Sequence, residues 1–156
     1  MSRLFKIAIG SDHAGFNHKE KIGTLLRKLG HEVIDVGTNS EDSCDYPLYA
    51  REVCLKVKRG EVHRGILICG SGIGISIAAN KFPGIRCALC HDSYTARMCR
   101  EHNDANVLAF GERTTGIAVA EEMVRIFLNT DFDSTHPNHT RRVQLISSFE
   151  SEDLSI

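Results

Sequence analysis

The sequence lacks an excess of either charge, a long apolar run, and the usual closures of a phosphate-binding glycine loop. Its 19 Lys and Arg against 20 Asp and Glu leave a formal net charge of −1. No general field therefore draws in nucleic acid or an anionic membrane surface, and an anionic ligand has to be held by local donors. No window approaches the roughly 18 consecutive apolar residues that suggest a membrane span. The first apolar run is broken at Ser11-Asp12-His13, too soon for the core of a signal peptide, so the expected location is the cytoplasm. The chain has no repeat, no low-complexity segment and no linker that would divide it. Six cysteines stand at positions 44, 54, 69, 87, 90 and 99. A chain of this size and apolar content needs no disulfide staples, and they are read as reduced thiols.

At 156 residues, 42% of them hydrophobic, one domain with a real core is expected over 1–156. Short, β-prone apolar runs at 4–10, 31–36, 64–69, 85–90 and 106–110 have the length of buried strands. Between them lie helical patterns at 16–30, 47–60, 75–81, 92–102 and 114–129. The first sets Phe16, Ile22, Leu25, Leu26 and Leu29 on one stripe and stops at Gly30. Strands alternating with helices of this size imply βαβ units and a Rossmann-like three-layer α/β domain with a five-stranded parallel sheet. The expected strand order is 2-1-3-4-5, with 131–156 as a polar tail carrying a helix from His139 to Phe149. In such sheets ligands bind beyond the carboxyl ends of the strands where the order reverses. The loop Gly10-Ser11-Asp12-His13-Ala14-Gly15 and the loop Cys69-Gly70-Ser71-Gly72-Ile73-Gly74 are thereby brought face to face.

The second loop is the most informative. Glycines 70, 72 and 74 let backbone N–H groups gather around an anion at a helix start, where the macrodipole adds partial positive charge. The same surroundings favour the thiolate of Cys69 as base or nucleophile; the bland alternative is a small buried hydrophobe closing a strand. There is no Lys-Ser or Lys-Thr pair as in a P-loop, and the spacing is G-x-G-x-G rather than G-x-G-x-x-G. No arginine follows in 70–80, as cysteine phosphatase chemistry would need. Asp45-Tyr46-Pro47 opens a helix and has an N-cap as its bland reading. His102 and Asn103 follow a helix end, where histidine often answers the helix dipole. Arg113, His139, Arg141 and Arg142 are candidate phosphate donors or a solvated charged face. Cys87-Ala88-Leu89-Cys90-His91 fits the haem-attachment spacing, but its alternation fits a buried strand better. Zinc on Cys87, Cys90, Cys99 and His102 would need a strand and a helix to act as a knuckle, a poor arrangement.

The segments GSDHAGF, DYP, GILICGSGIGISIAANKFPGIRCAL, HNDANVLAFGER and HTRRVQLI, in this order over nearly the whole chain, closely resemble the type B ribose-5-phosphate isomerases. Their relatives include galactose-6-phosphate and allose-6-phosphate isomerases. The resemblance implies an aldose–ketose isomerase of the pentose phosphate pathway acting through an enediolate, with Cys69 as the thiolate base and Ser71 moving a proton among substrate oxygens. The amides of Gly70 to Gly74 would stabilise the oxyanion. It also implies that His102, helped by Asp45, opens the sugar ring. Asp12, Tyr46 and Asn103 would hold hydroxyls, while His13, Arg113, His139 and Arg142 would meet the phosphate. Asn138 stands where family members often carry arginine. No metal or cofactor is expected, because the enediolate route needs only a base and an anion cradle. A six-carbon sugar phosphate as substrate, and a non-catalytic phosphosugar sensor, stay open beside this reading. A helix of a parallel sheet runs back toward the opposite edge, so His102 is expected to lie far from Cys69 of its own chain. A homodimer with shared sites would bring the two together.

Overall fold

The computed structural model describes residues 3–155. The chain runs β1 (Lys6–Ser11), α1 (Phe16–Lys28), β2 (Glu32–Asp35), α2 (Tyr46–Lys58), β3 (Arg64–Cys69) and α3 (Ile73–Ala79). It continues through β4 (Cys87–Leu89), α4 (Ser93–Glu101), β5 (Val107–Gly111), α5 (Ile117–Asn129) and α6 (Pro137–Ser148). All strand pairings are parallel. No helix among the described residues is long and apolar enough to cross a membrane.

Strand alternation divides the core. Ile7, Ile9, Ile66, Ile68, Leu108 and Phe110 project from one face onto α1, α4 and α5; Ala8, Leu67, Cys69, Val107 and Ala109 project from the other onto α2 and α3. Each fully buried Ile, Leu or Phe contributes roughly 1.5–3 kcal/mol of transfer free energy. Helix boundaries follow local chemistry. Pro47 occupies the first turn of α2, and Asp92 caps α4 by accepting the Thr95 N–H at 2.7 Å.

The three-layer parallel α/β architecture expected from the sequence is present, but the strand order is 2-1-3-5-4 rather than 2-1-3-4-5. β5 lies between β3 and β4 because it is the strand that can be buried on both faces: all five of its residues are buried, whereas all three of β4 are only half-buried. The crossover β3–α3–β4 skips one position and β4–α4–β5 steps back into it. A right-handed step in the reverse direction puts its helix on the opposite face, which is why α4 lies on the α1 and α5 side of the sheet, packed against α5, and not on the α3 side. The reversal of order between β1 and β3 is as expected. The final helix begins at Pro137 rather than His139.

Candidate active site

At the carboxyl edge of β1, β3 and β5 a cavity of about 640 Å³ opens. Cys69, Gly70, Ser71 and Gly74 form its floor, Asp12, His13 and Tyr46 one wall, and Arg113 and Thr114 the other. The floor is set by Gly72, whose φ of +76° is a left-handed conformation; a Cβ there would also meet the Phe110 carbonyl carbon at 2.7 Å. This turn brings the Gly72 N–H to the buried Cys69 Sγ at 3.1 Å and the Ile73 N–H to Ser71 Oγ at 3.2 Å. Two of the turn's donors are thus used on the site's own side chains.

Asp12 is buried and its Oδ1 accepts from the N–H groups of Ala14 and Gly15 at 3.0 and 3.2 Å, which shapes the first loop. His13 Nδ1 accepts the Cys44 N–H at 3.1 Å. In the neutral ring this leaves the proton on Nε2, which becomes the donor. Tyr46 lies over Gly74, so close that a Cβ there would stand 2.6 Å from its Cζ. Asp45 is exposed just outside this cavity and holds the N-cap position of α2, as its bland reading expects, but its side chain makes no capping hydrogen bond. Arg113 Nη1 lies over Gly70, 3.2 Å from where a Cβ would be. Thr114, also in the wall, was missed by the sequence reading; a single threonine in a loop gives no motif to find it by.

The remaining predicted residues lie elsewhere. His102 is the C-cap of α4. A few residues on, the Asn106 N–H bonds the Arg86 carbonyl beside the start of β4, at the edge opposite Cys69. At about 3.3 Å per residue, the strand β5 alone separates the two edges by some 13–16 Å. His102 lies against His139 in a tilted pair, 4.4 Å between ring centroids, and His139 stacks on His136 at 4.5 Å. His139 Nδ1 also faces the Asp133 carbonyl at 3.2 Å. Arg142 is exposed one turn further along α6. Asn103 lines a second cavity of about 470 Å³ with Cys87 and Cys99. The site residues therefore fall into two groups on opposite edges.

Burial pushes the Cys54 thiol up to about 12 and raises Cys87 as well, which makes both poor nucleophiles. Cys99 is pushed up first by its hydrogen bond with Cys90, then by burial. Among the described residues no three His, Cys, Asp or Glu side chains converge as metal ligands.

A thiol at the mouth of a glycine turn, on the switch point of an open parallel sheet, with a histidine and an arginine in the same cavity, has the chemistry expected of a small-molecule site in an α/β enzyme. The chain belongs to the Ribose/Galactose Isomerase family, which matches residues 7–146. It is 50% identical over 145 residues to ribose-5-phosphate isomerase B of Escherichia coli, covering 93% of this chain and 96% of that protein. To a galactose-6-phosphate isomerase subunit of Clostridium acetobutylicum it is 42% identical over 132 residues, 85% of this chain and 76% of that one. The solved structure of Clostridium thermocellum ribose-5-phosphate isomerase B superposes with a TM-score of 0.91 at 53% identity, over 94% of this chain and 97% of that one.

Proposed function

We propose that the chain is a cytoplasmic aldose–ketose isomerase that interconverts D-ribose 5-phosphate and D-ribulose 5-phosphate through an enediolate. The observation that carries this reading is the placement of Cys69 Sγ in one cavity with His13 and Arg113. In the open-chain aldose the Cys69 thiolate removes the C2 proton; the electron pair moves to the C1–C2 bond and charge develops on O1. The amides of the turn not used on Cys69 and Ser71 stabilise that oxyanion. Ser71, whose Oγ accepts from Ile73, keeps its own proton to pass between O1 and O2, and the Cys69 thiol returns its proton to C1. His13 Nε2–H and the Arg113 guanidinium grip the phosphate. Tyr46 and the Asp12 oxygen not engaged by Ala14 and Gly15 hold hydroxyls.

His102, Asn103, His139 and Arg142 serve the site of a second copy of the chain, with His102 and Asp45 opening the ring. Exposed apolar side chains on α2 and α3 support a partner: Ile73, which lines the cavity, is 53% exposed, and Leu48 and Ile77 on the same two helices are 59 and 57% exposed. The chain works as one domain, with 131–156 as the arm that reaches the partner. No metal or cofactor is required by this route. A six-carbon sugar phosphate is the second reading, favoured by the relative named for galactose 6-phosphate at 42% identity.

The test is conversion of ribose 5-phosphate to ribulose 5-phosphate, alongside allose and galactose 6-phosphates. Cys69→Ala should lose at least roughly 10²–10⁴-fold in turnover and still bind the sugar phosphate by calorimetry. Binding without any ketose product would overturn the enzyme reading in favour of a sensor. Cys69→Ala chains mixed with His102→Ala chains after reversible dissociation should regain activity, because each hybrid dimer carries one intact shared site. A mixture no more active than its parents would place both residues in one chain and refute the shared site.

A further inference from the structure

Arg113 reaches the cavity from an exposed loop, and an exposed arginine holds an anion well only if the loop beneath it is fixed. Toward β3 the loop is held by backbone bonds: the Glu112 N–H donates to the Cys69 carbonyl at 2.9 Å and the Arg113 N–H to the Gly70 carbonyl at 3.0 Å. Toward α1 it is held by His18, which is 8% exposed. His18 Nε2 lies 2.8 Å from the Thr115 carbonyl; a carbonyl only accepts, so Nε2 carries the proton and donates. The other ring nitrogen, Nδ1, is buried without a hydrogen-bond partner and faces Glu112 Oε2 at 3.7 Å. That same carboxylate oxygen accepts the His18 backbone N–H at 2.9 Å, in the first turn of α1 where a negative charge is favoured. A hydrophobe would fill this position without leaving a buried polar atom unpaired. The imidazole and the carboxylate instead bracket Arg113 from both sides, at positions 112 and 115.

We infer that His18 is a positioning residue: with Glu112 it latches the loop 112–116 to α1 and so fixes Arg113 over Gly70 for the substrate phosphate. This rests on the phosphate role proposed above for Arg113. The experiment compares His18→Leu, His18→Gln, Glu112→Gln and Arg113→Ala by calorimetry with inorganic phosphate. The KM and kcat for ribose 5-phosphate and the rate of iodoacetamide inactivation without phosphate are read alongside. His18→Leu should weaken phosphate binding and raise KM by about tenfold, the range for one lost hydrogen bond, with kcat within about threefold and the alkylation rate of Cys69 unchanged. His18→Gln, whose amide can donate to the Thr115 carbonyl, should restore most of the affinity. Glu112→Gln keeps an acceptor for α1, folds at a half-buried site, and should weaken phosphate binding several-fold. In an Arg113→Ala background, His18→Leu should add almost nothing, because its effect runs through the arginine.

Unchanged phosphate affinity in His18→Leu beside a clear Arg113→Ala effect would overturn the latch alone. So would full additivity, or a joint fall in kcat, alkylation and affinity that His18→Gln fails to rescue. Should His18→Leu not fold, Glu112→Gln decides by the same affinity measurement. An Arg113→Ala protein that binds phosphate as tightly as the parent would overturn both the latch and the phosphate role it depends on.

Discussion

Replacing Gly74 by alanine isolates the contribution of Tyr46. The new Cβ would stand 2.6 Å from Tyr46 Cζ and 2.8 Å from its Cε2 and Oη, closer than real Cβ atoms come to any neighbour. Either the ring or α3 must shift. The first turn of α3 is fixed by Gly72, which is left-handed and packed against the Phe110 backbone, whereas Tyr46 is 37% exposed and has solvent to turn into. The ring therefore moves. Alanine in a helix gains up to about 0.8–1 kcal/mol over glycine, and less this close to the helix start. Turning roughly 40 Å² of ring surface outward costs about 1 kcal/mol. The two nearly cancel, so stability should stay within about 1 kcal/mol of the parent, a shift in Tm of no more than about 4 °C. The loss of the tyrosine hydroxyl from the site should raise KM for ribose 5-phosphate about tenfold. Thermal unfolding and steady-state kinetics on one preparation give both numbers. A large fall in Tm would mean that α3 had moved, and an unchanged KM would mean that Tyr46 does not touch substrate.

Arg142→Ala should raise KM strongly while the unfolding temperature is retained, because the side chain is exposed in the free chain and its proposed partner is the substrate phosphate; an unchanged KM would show that α6 does not reach a site. His31 Nδ1 accepts the Phe5 N–H at 3.1 Å, and burial holds its pKa below the ordinary 6.5. The unfolded chain therefore takes up this proton first, so the stability His31 contributes is complete above about pH 6.5 and is lost as pH falls through the lower folded value. His31→Asn, which keeps an acceptor but does not titrate, should flatten that acid limb in denaturant midpoints measured from pH 7 to 5, and an identical limb in both proteins would exclude His31 as its source.

Much of the fold was legible because hydrophobic period and turn chemistry agree locally. The run 64–69 is β3 residue for residue, and Gly30, with φ +90°, ends the α1 segment as expected. The misses have local causes that residue type alone conceals. Helix α3 starts at Ile73 rather than Ile75, since a left-handed Gly72 and the Ser71 hydroxyl together cap it. Helix α6 starts at Pro137, since the His136 imidazole accepts the Asn138 N–H at 3.3 Å, a cap outside the usual Ser, Thr, Asp and Asn set. His18 was read only as part of an amphipathic helix, and nothing in FNHKEK indicates that its ring nitrogen reaches a loop almost a hundred residues away.

The strand order was not legible for a deeper reason, and it shapes the site. A helical stripe shows that a helix is covered, not which face of the sheet covers it, so the back-step of α4 to the α1 side left no mark in the period of its sequence. Yet Val107 to Gly111 is an unbroken apolar run, while the segment leading into β4 carries Arg86, a difference that suits a central strand and an edge strand. With neighbouring strands about 4.8 Å apart, placing β5 beside β3 instead of one strand further out moves the Arg113 loop roughly 5 Å closer to Cys69. That step lets Glu112 and Arg113 hydrogen-bond the carbonyls of Cys69 and Gly70 directly. The same exchange sends β4 to the rim and leaves the end of α4, with His102 and Asn103, at the far edge and exposed. One topological choice thus seats the Arg113 loop on the cavity within a single chain and leaves His102 and Asn103 exposed at the opposite edge, which is the arrangement the proposed pairing of two copies would need.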